Sequence, residues 1–193
     1  MDLIKADTTL FLDSLALNWR GNDIHVDGLT ISKTGEKILI RTDSKKIWRY
    51  SHISTYFVYD MAQKILLPLT DNNKSLRNVK FSPDGERIAY VRQDNNLYMY
   101  DFQRKRERKL TTTGSETVSN GHFGWLYEEE LTGYDGYRWS PNGESIAYWE
   151  EDESMVPEFS MINELGQYPS IEKIRYPKAV SYTHLRAHET RHD

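Results

Sequence analysis

Three consecutive glutamates, Glu128 to Glu130, lie inside the aromatic-rich stretch GWLYEEELTGYDGYRWSPNG (124–143). Neighbouring carboxylates repel one another and are costly to desolvate, so a set held at a cavity wall either keeps a proton or awaits a positive partner. An ammonium group meets that need, because it offers three N–H donors and each charge-assisted hydrogen bond is worth roughly 1.5 to 3 kcal/mol. Trp125, Tyr127, Tyr134 and Tyr137 supply apolar surface around the acids. The same triplet also reads as a solvated helix start, where acidic side chains are favoured by the positive end of the dipole.

The elements that must position these acids are written as a repeat. TISKTGEKILI (30–40), KFSPDGERIAYV (80–91) and RWSPNGESIAYW (138–149) share a hydroxyl residue, a turn closed by Gly35, Gly85 or Gly143, a polar pair and an alternating apolar run. That pattern predicts a β-hairpin three times over, with glycine supplying the positive backbone angle and Pro83 and Pro141 presetting a corner. The first two repeats continue into YFVYD (56–60) and LYMYD (97–101), then into LLPLT (66–70) and ERKLT (107–111). Four short strands per unit, rich in aromatic and β-branched residues, predict an all-β chain forming about three blades of a larger β-propeller. Tyr90, Tyr98, Tyr100 and Tyr148 then belong to cross-strand packing.

The turn glycines are spaced more widely than a minimal blade of roughly 40 to 45 residues requires, and the excess can be located. The interval from Gly35 to Asp60 is nine residues longer than that from Gly85 to Asp101, which places an insertion near Lys45 to Ser54. A second excess falls between Thr111 and Arg138, where the acidic triplet sits. Insertions between rigid strands commonly carry binding residues. Arg49, which follows Trp48, sits in the first of them, where it also reads as a surface arginine stacked on an indole.

Composition removes several classes of function. The 193 residues carry a formal net charge of −4, which gives no basic footprint for nucleic acid. The run RKRERK (104–109) reads as the polar edge of a hairpin. Cysteine is absent, which excludes disulfides, thiolate metal sites and a cysteine nucleophile, and His25 and His122 lack any metal-ligand spacing. No metal or other cofactor is expected. No stretch approaches the roughly 18 to 20 apolar residues of a membrane span, and the first residues lack the pattern of a signal peptide.

The string WLYEEE, the turn WSPNG and the closing segment VPEFSMINELGQYPSIEKIRYPKA (156–179), in that order, resemble the dipeptidyl peptidase IV family of serine exopeptidases. The resemblance implies that Glu129 and Glu130 bind the free N-terminal amine of a peptide substrate, with Glu128 as a structural neighbour. KKIWRYSHISTYFVYDMAQK (45–64) resembles the family segment whose arginine holds the carbonyl of the substrate's second residue, which falls on Arg49. The family has histidine directly after that arginine, whereas this chain has Tyr50, with His52 two positions on. Also implied are a propeller of eight blades, an α/β-hydrolase domain carrying the catalytic triad, a homodimer, a periplasmic or extracellular, membrane-associated setting, and release of dipeptides after proline or alanine. A tripeptidyl peptidase of the same family and a non-catalytic propeller scaffold remain as alternatives. The lack of cysteine points to a bacterial source within the family.

Residues 1–179 therefore read as the N-terminal part of such a propeller. After Ala179 the sequence VSYTHLRAHET (180–190) resembles a translated sequencing adapter, so 180–193 is expected to be foreign to the fold, and His184, His188 and Glu189 are no metal site. The G-x-S-x-G nucleophile elbow occurs nowhere in the chain, so no catalytic residue is assigned and no peptide hydrolysis is expected of this polypeptide by itself. Three blades cannot close a ring, so exposed edges are expected to make it poorly soluble or molten.

Overall fold

The computed structural model describes residue 12, residues 16–176 and the backbone of a strand at 185–190. A two-residue hairpin, β1 (Asn18–Trp19) with β2 (Asn22–Asp23), leads into the first four-stranded antiparallel sheet: β3 (Gly28–Ile31), β4 (Lys37–Lys46), β5 (His52–Asp60) and β6 (Ile65–Pro68), paired in chain order. The second sheet repeats that meander with β7 (Arg77–Phe81), β8 (Arg87–Val91), β9 (Leu97–Asp101) and β10 (Arg106–Lys109). The basic run thus ends in an outer strand, as its composition predicts.

The third sheet is built differently. β11 (Val118–Asn120) leads into a short helix, α1 (Trp125–Leu131), and β12 (Tyr137–Trp139) follows it. Both strands pair with β13 (Ile146–Asp152), β12 at its start and β11 at its end, so the helix is an excursion between two pieces of one edge. β14 (Glu158–Asn163) and β15 (Ser170–Arg175) form a separate hairpin. β16 (Leu185–Thr190), within the stretch expected from the sequence to be foreign to the fold, pairs antiparallel along β13 from Ile146↔Thr190 to Glu151↔Leu185.

Each repeat turn is made the same way. The N–H of Gly35, Gly85 and Gly143 donates to the carbonyl of Ser32, Ser82 and Ser140, at 2.9 Å in all three. The repeat hydroxyl is explained as well: each serine Oγ accepts the N–H five residues on, from Lys37 and Arg87 at 3.0 Å and from Ser145 at 2.9 Å.

Alternation with period two lets each sheet bury both faces. In β4, Leu39 enters the cluster shared with the second sheet (Tyr56, Val58, Leu76, Ile88, Tyr90), while Ile38 and Ile40 pack with Phe57 and Tyr59 under Trp19 and Ile24. In β8, Ile88 and Tyr90 face the first sheet, and Ala89 and Val91 face Tyr137, Ile146 and Tyr148 of the third. Stacked sheets joined through shared apolar layers are the packing of propeller blades, and the all-β reading holds.

Two irregularities matter for the site. The register of β4 and β5 shifts between Thr42 and Lys45, with Asp43 at φ 51°, and that of β7 and β8 shifts between Arg77 and Lys80, with Asn78 at φ 51°. Such bulges bend a strand and re-aim its side chains.

Candidate functional site

α1 is too short to be stable by itself and is held at both ends. Gly124 precedes it with no side-chain cap, but its N–H donates to Glu151 Oε2 at 2.7 Å. Thr132, in the left-handed region at φ 56°, ends it, and the Gly133 N–H returns to the Tyr127 carbonyl at 2.9 Å. Asn78 ties the excursion to the second sheet by donating from Nδ2 to the carbonyls of Gly121 at 3.1 Å and Tyr134 at 3.0 Å.

On a helix, consecutive side chains fan out by about 100°, so three neighbouring glutamates cannot share one environment. Glu128 points inward and is 0% exposed. One of its oxygens, Oε1, accepts the N–H of Tyr50 at 2.6 Å and of Ser51 at 2.7 Å. Glu129 is half-buried and pairs through Oε2 with Arg49 Nη2 at 2.9 Å. Glu130 is exposed and has no ion pair or hydrogen bond among the described residues. The reading of the triplet as a wholly solvated helix start is therefore corrected: the helix exists, but it divides the acids into an anchor, a paired carboxylate and a free one.

Arg49 lies in the connection between β4 and β5, which the longer first repeat supplies. No cation–π contact joins it to Trp48 among the described residues; its partner is Glu129. Tyr50 stacks on Tyr134 with ring centroids 6.1 Å apart, a further tie between the two excursions. His52, two positions on, faces Arg41 instead, with Nε2 2.6 Å from Nη1; burial and that guanidinium hold its pKa below the usual histidine range.

Beneath the helix the interior is strongly polar. Burial pulls the Arg77 guanidinium down to about 10, opposed by the nearby Glu128 carboxylate, and its Nε and Nη2 are buried without a hydrogen-bond partner. Burial pushes Glu151 up to about 7, the Gly124 N–H works against the shift and Glu153 adds to it. His122 is driven down to about 3, chiefly by burial, and its Nε2 lies 2.9 Å from Asn95 Oδ1. A cavity of about 440 Å³ is lined by Trp48, Arg77, His122 and Trp125 among others, but not by the three glutamates. No group of side chains that could hold a metal ion occurs among the described residues. No described helix is long and apolar enough to cross a membrane.

The structure thus brings Arg49 and Glu129 into contact, while Glu130, next in the helix, is exposed and joins neither of them among the described residues. Sequence reasoning missed the anchoring contacts of Glu128, the Tyr50–Tyr134 stack and the involvement of Arg77. Helical geometry alone could have flagged one inward acid among three, whereas nothing in the sequence around Arg77 points to the helix.

Comparison with known proteins identifies the family. The family model "Dipeptidyl peptidase IV (DPP IV) N-terminal region" matches residues 32–184. Dipeptidyl aminopeptidase B of Saccharomyces cerevisiae is 34% identical over 177 residues, covering 89% of this chain and 21% of that protein. Dipeptidyl peptidase 4 of Felis catus is 31% identical over 159 residues, covering 80% and 21%. The crystal structure of Porphyromonas gingivalis dipeptidyl peptidase 4 superimposes with a TM-score of 0.76 at 34% identity, over 82% of this chain and 23% of that one. The chain spans about a fifth of the length of the curated relatives it matches. With the repeat, the two excursions and a match over most of its residues, the chain belongs to the dipeptidyl peptidase IV family, as part of its N-terminal region.

Proposed function

We propose that this chain is the substrate-recognition part of a serine exopeptidase that releases dipeptides from peptides with a free N terminus. Glu129 and Glu130 bind the terminal ammonium, and Arg49 holds the carbonyl of the second residue. The single observation that carries the reading is the meeting of Arg49 and Glu129 at 2.9 Å, on excursions from two different sheets, with Glu130, which has no partner among the described residues, next in sequence.

Charge counting supports it. Arg49 cancels one of the two accessible carboxylates, which leaves a net charge of one negative unit for a singly charged ammonium. A guanidinium has five N–H donors in a fixed fork, so contact with Glu129 leaves others for a carbonyl. Fixing the amine at a set distance from a nucleophile makes an enzyme count residues from the terminus, and such positioning can supply several kcal/mol of barrier reduction. The nucleophile itself is assigned to an α/β-hydrolase domain of the full-length protein, outside this chain.

The test uses the full-length protein with dipeptidyl substrates that carry a free or an acetylated amine. Acetylation, and the double variant Glu129→Gln/Glu130→Gln, are each expected to lower kcat/KM by about a hundredfold or more, given roughly 1.5 to 3 kcal/mol for each charge-assisted hydrogen bond. Equal turnover of blocked and free peptides would overturn the reading. Release of tripeptides would keep the amine anchor and move the assignment to a tripeptidyl peptidase.

A further inference from the structure

Glu128 has no place in the amine socket, yet it is the most deeply buried of the three acids and makes the most specific contacts. Its Oε1 accepts two successive backbone N–H groups, those of Tyr50 and Ser51, immediately after Arg49. Among the described residues the connection that carries Arg49 has no other backbone tie to the helix: its internal hydrogen bond, from the Ile47 N–H to the Ser51 carbonyl at 2.9 Å, closes the turn on itself. We propose that Glu128 is a positioning residue for the exopeptidase reaction, a latch that fixes Arg49 against Glu129 by holding the backbone of residues 50 and 51 to α1.

The physical case rests on reach and on charge. A loop that sits 62% exposed at its arginine would otherwise sample many conformations. Two bonds to one carboxylate oxygen remove that freedom at the adjoining peptide units and set the distance between the carbonyl-holding and amine-holding groups. The buried Arg77 guanidinium lies near enough to act on this carboxylate through its charge, although no hydrogen bond joins the two: Glu128 Oε2 and Arg77 Nε and Nη2 have no hydrogen-bond partner among the described residues. Arg77 reaches that position from the bulged start of β7, so the second sheet supports a contact made between the first and the third.

This proposal rests on the exopeptidase reading, but it has a readout that does not. In the full-length protein, hydrogen exchange at the Tyr50 and Ser51 amides should be strongly protected. Glu128→Ala should abolish that protection and raise KM for free-amine dipeptidyl substrates about tenfold or more, with kcat changed less than about threefold, the split expected when ground-state and transition-state binding fall together. Glu128→Gln retains a carbonyl oxygen at the same reach and should keep both the protection and a near-normal KM.

If Glu128→Ala does not fold, Glu128→Asp carries the comparison. It keeps the charge but falls short by one methylene, roughly 1.5 Å, and should resemble the loss of the latch rather than the glutamine rescue. Unchanged protection in Glu128→Ala, protection lost with KM unaltered, or glutamine proving worse than aspartate would each overturn the latch. Failure of the amine socket shows separately, as free and acetylated substrates turned over alike while the amide protection still answers to Glu128.

Discussion

Arg49 and Glu129 form an ion pair of unequal exposure: the guanidinium is 62% exposed, the carboxylate 16%, and 2.9 Å separates Nη2 from Oε2. Pairs this open to solvent contribute little to folding, typically about 0.2 to 1 kcal/mol, because water screens them and ordering a long side chain costs entropy. Arg49→Ala is therefore expected to shift stability by less than about 1 kcal/mol while raising KM of the full-length enzyme. Arg49→Lys should restore less than half of the loss, since an ammonium lacks the guanidinium fork. Thermal unfolding and steady-state kinetics on the same preparations check both parts, and a variant crippled in stability but normal in KM would contradict the assignment.

Tyr137 is expected to be a structural keystone. Its ring is buried between the second and third sheets, its hydroxyl donates to the Ala89 carbonyl at 2.7 Å and also contacts the Asn78 carbonyl, and Lys80 Nζ lies 3.6 Å from the ring centroid. Tyr137→Phe preserves the packing but removes the hydroxyl that donates to both carbonyls, so it should destabilise by about 1 to 3 kcal/mol. Urea unfolding measures the loss. An unchanged midpoint would mean that these carbonyls are satisfied elsewhere.

The fold was legible because its information is local and repeated. Alternation in EKILI and ERIAYV assigns both faces of each sheet, and the serine-to-glycine turn is closed by bonds between residues three to five apart. The two excursions were legible as excess length. Apart from the family likeness, which sets Glu128 aside, the residues themselves do not reveal which of three identical acids turns inward, since that depends on a backbone 77 and 78 residues away in the chain. Nor could Arg77 be found: its aim follows from a bulge with Asn78 at φ 51°, and asparagine at that position resembles any polar strand residue. The roles of Glu129 and Arg49 came from likeness to a family, and geometry adds only that the two meet.

Glu151 should give the fold a pH dependence. Burial raises its pKa from 4.5 to about 7, so between those values the unfolded chain releases its proton before the folded one does. Stability on this account is full below about pH 4.5 and falls as pH rises toward 7, by roughly 3 kcal/mol at most. Glu151→Gln keeps an acceptor for the Gly124 N–H and loses the ionisation. It should match the parent near pH 4.5, exceed it at pH 8 and flatten the profile between. Denaturant midpoints across that range check the sign, and a variant less stable than the parent at pH 8 would show that the ionised carboxylate is wanted at the helix start.

The repeat glycines are equivalent in backbone but not in surroundings, which yields a graded prediction. Gly35 and Gly85 adopt φ 76° and 74°, so alanine at either meets the left-handed penalty of about 1 to 2 kcal/mol. A Cβ at Gly35 would touch nothing within 4 Å, whereas one at Gly85 would lie 3.2 Å from Thr34 Oγ1 and 3.3 Å from Ser32 Cβ. The turn of the second sheet thus rests on the turn of the first, where Lys37 and Glu86 also pair at 3.3 Å. Gly85→Ala should therefore lose more stability than Gly35→Ala by an amount that reports turn-to-turn packing. Gly35→Asn, which tolerates the left-handed region, should recover part of the loss at the open position, and the same change at Gly85 should not. Equal losses for the two alanine variants would mean that the neighbouring turn yields freely and that the blades are held together by their apolar layers alone.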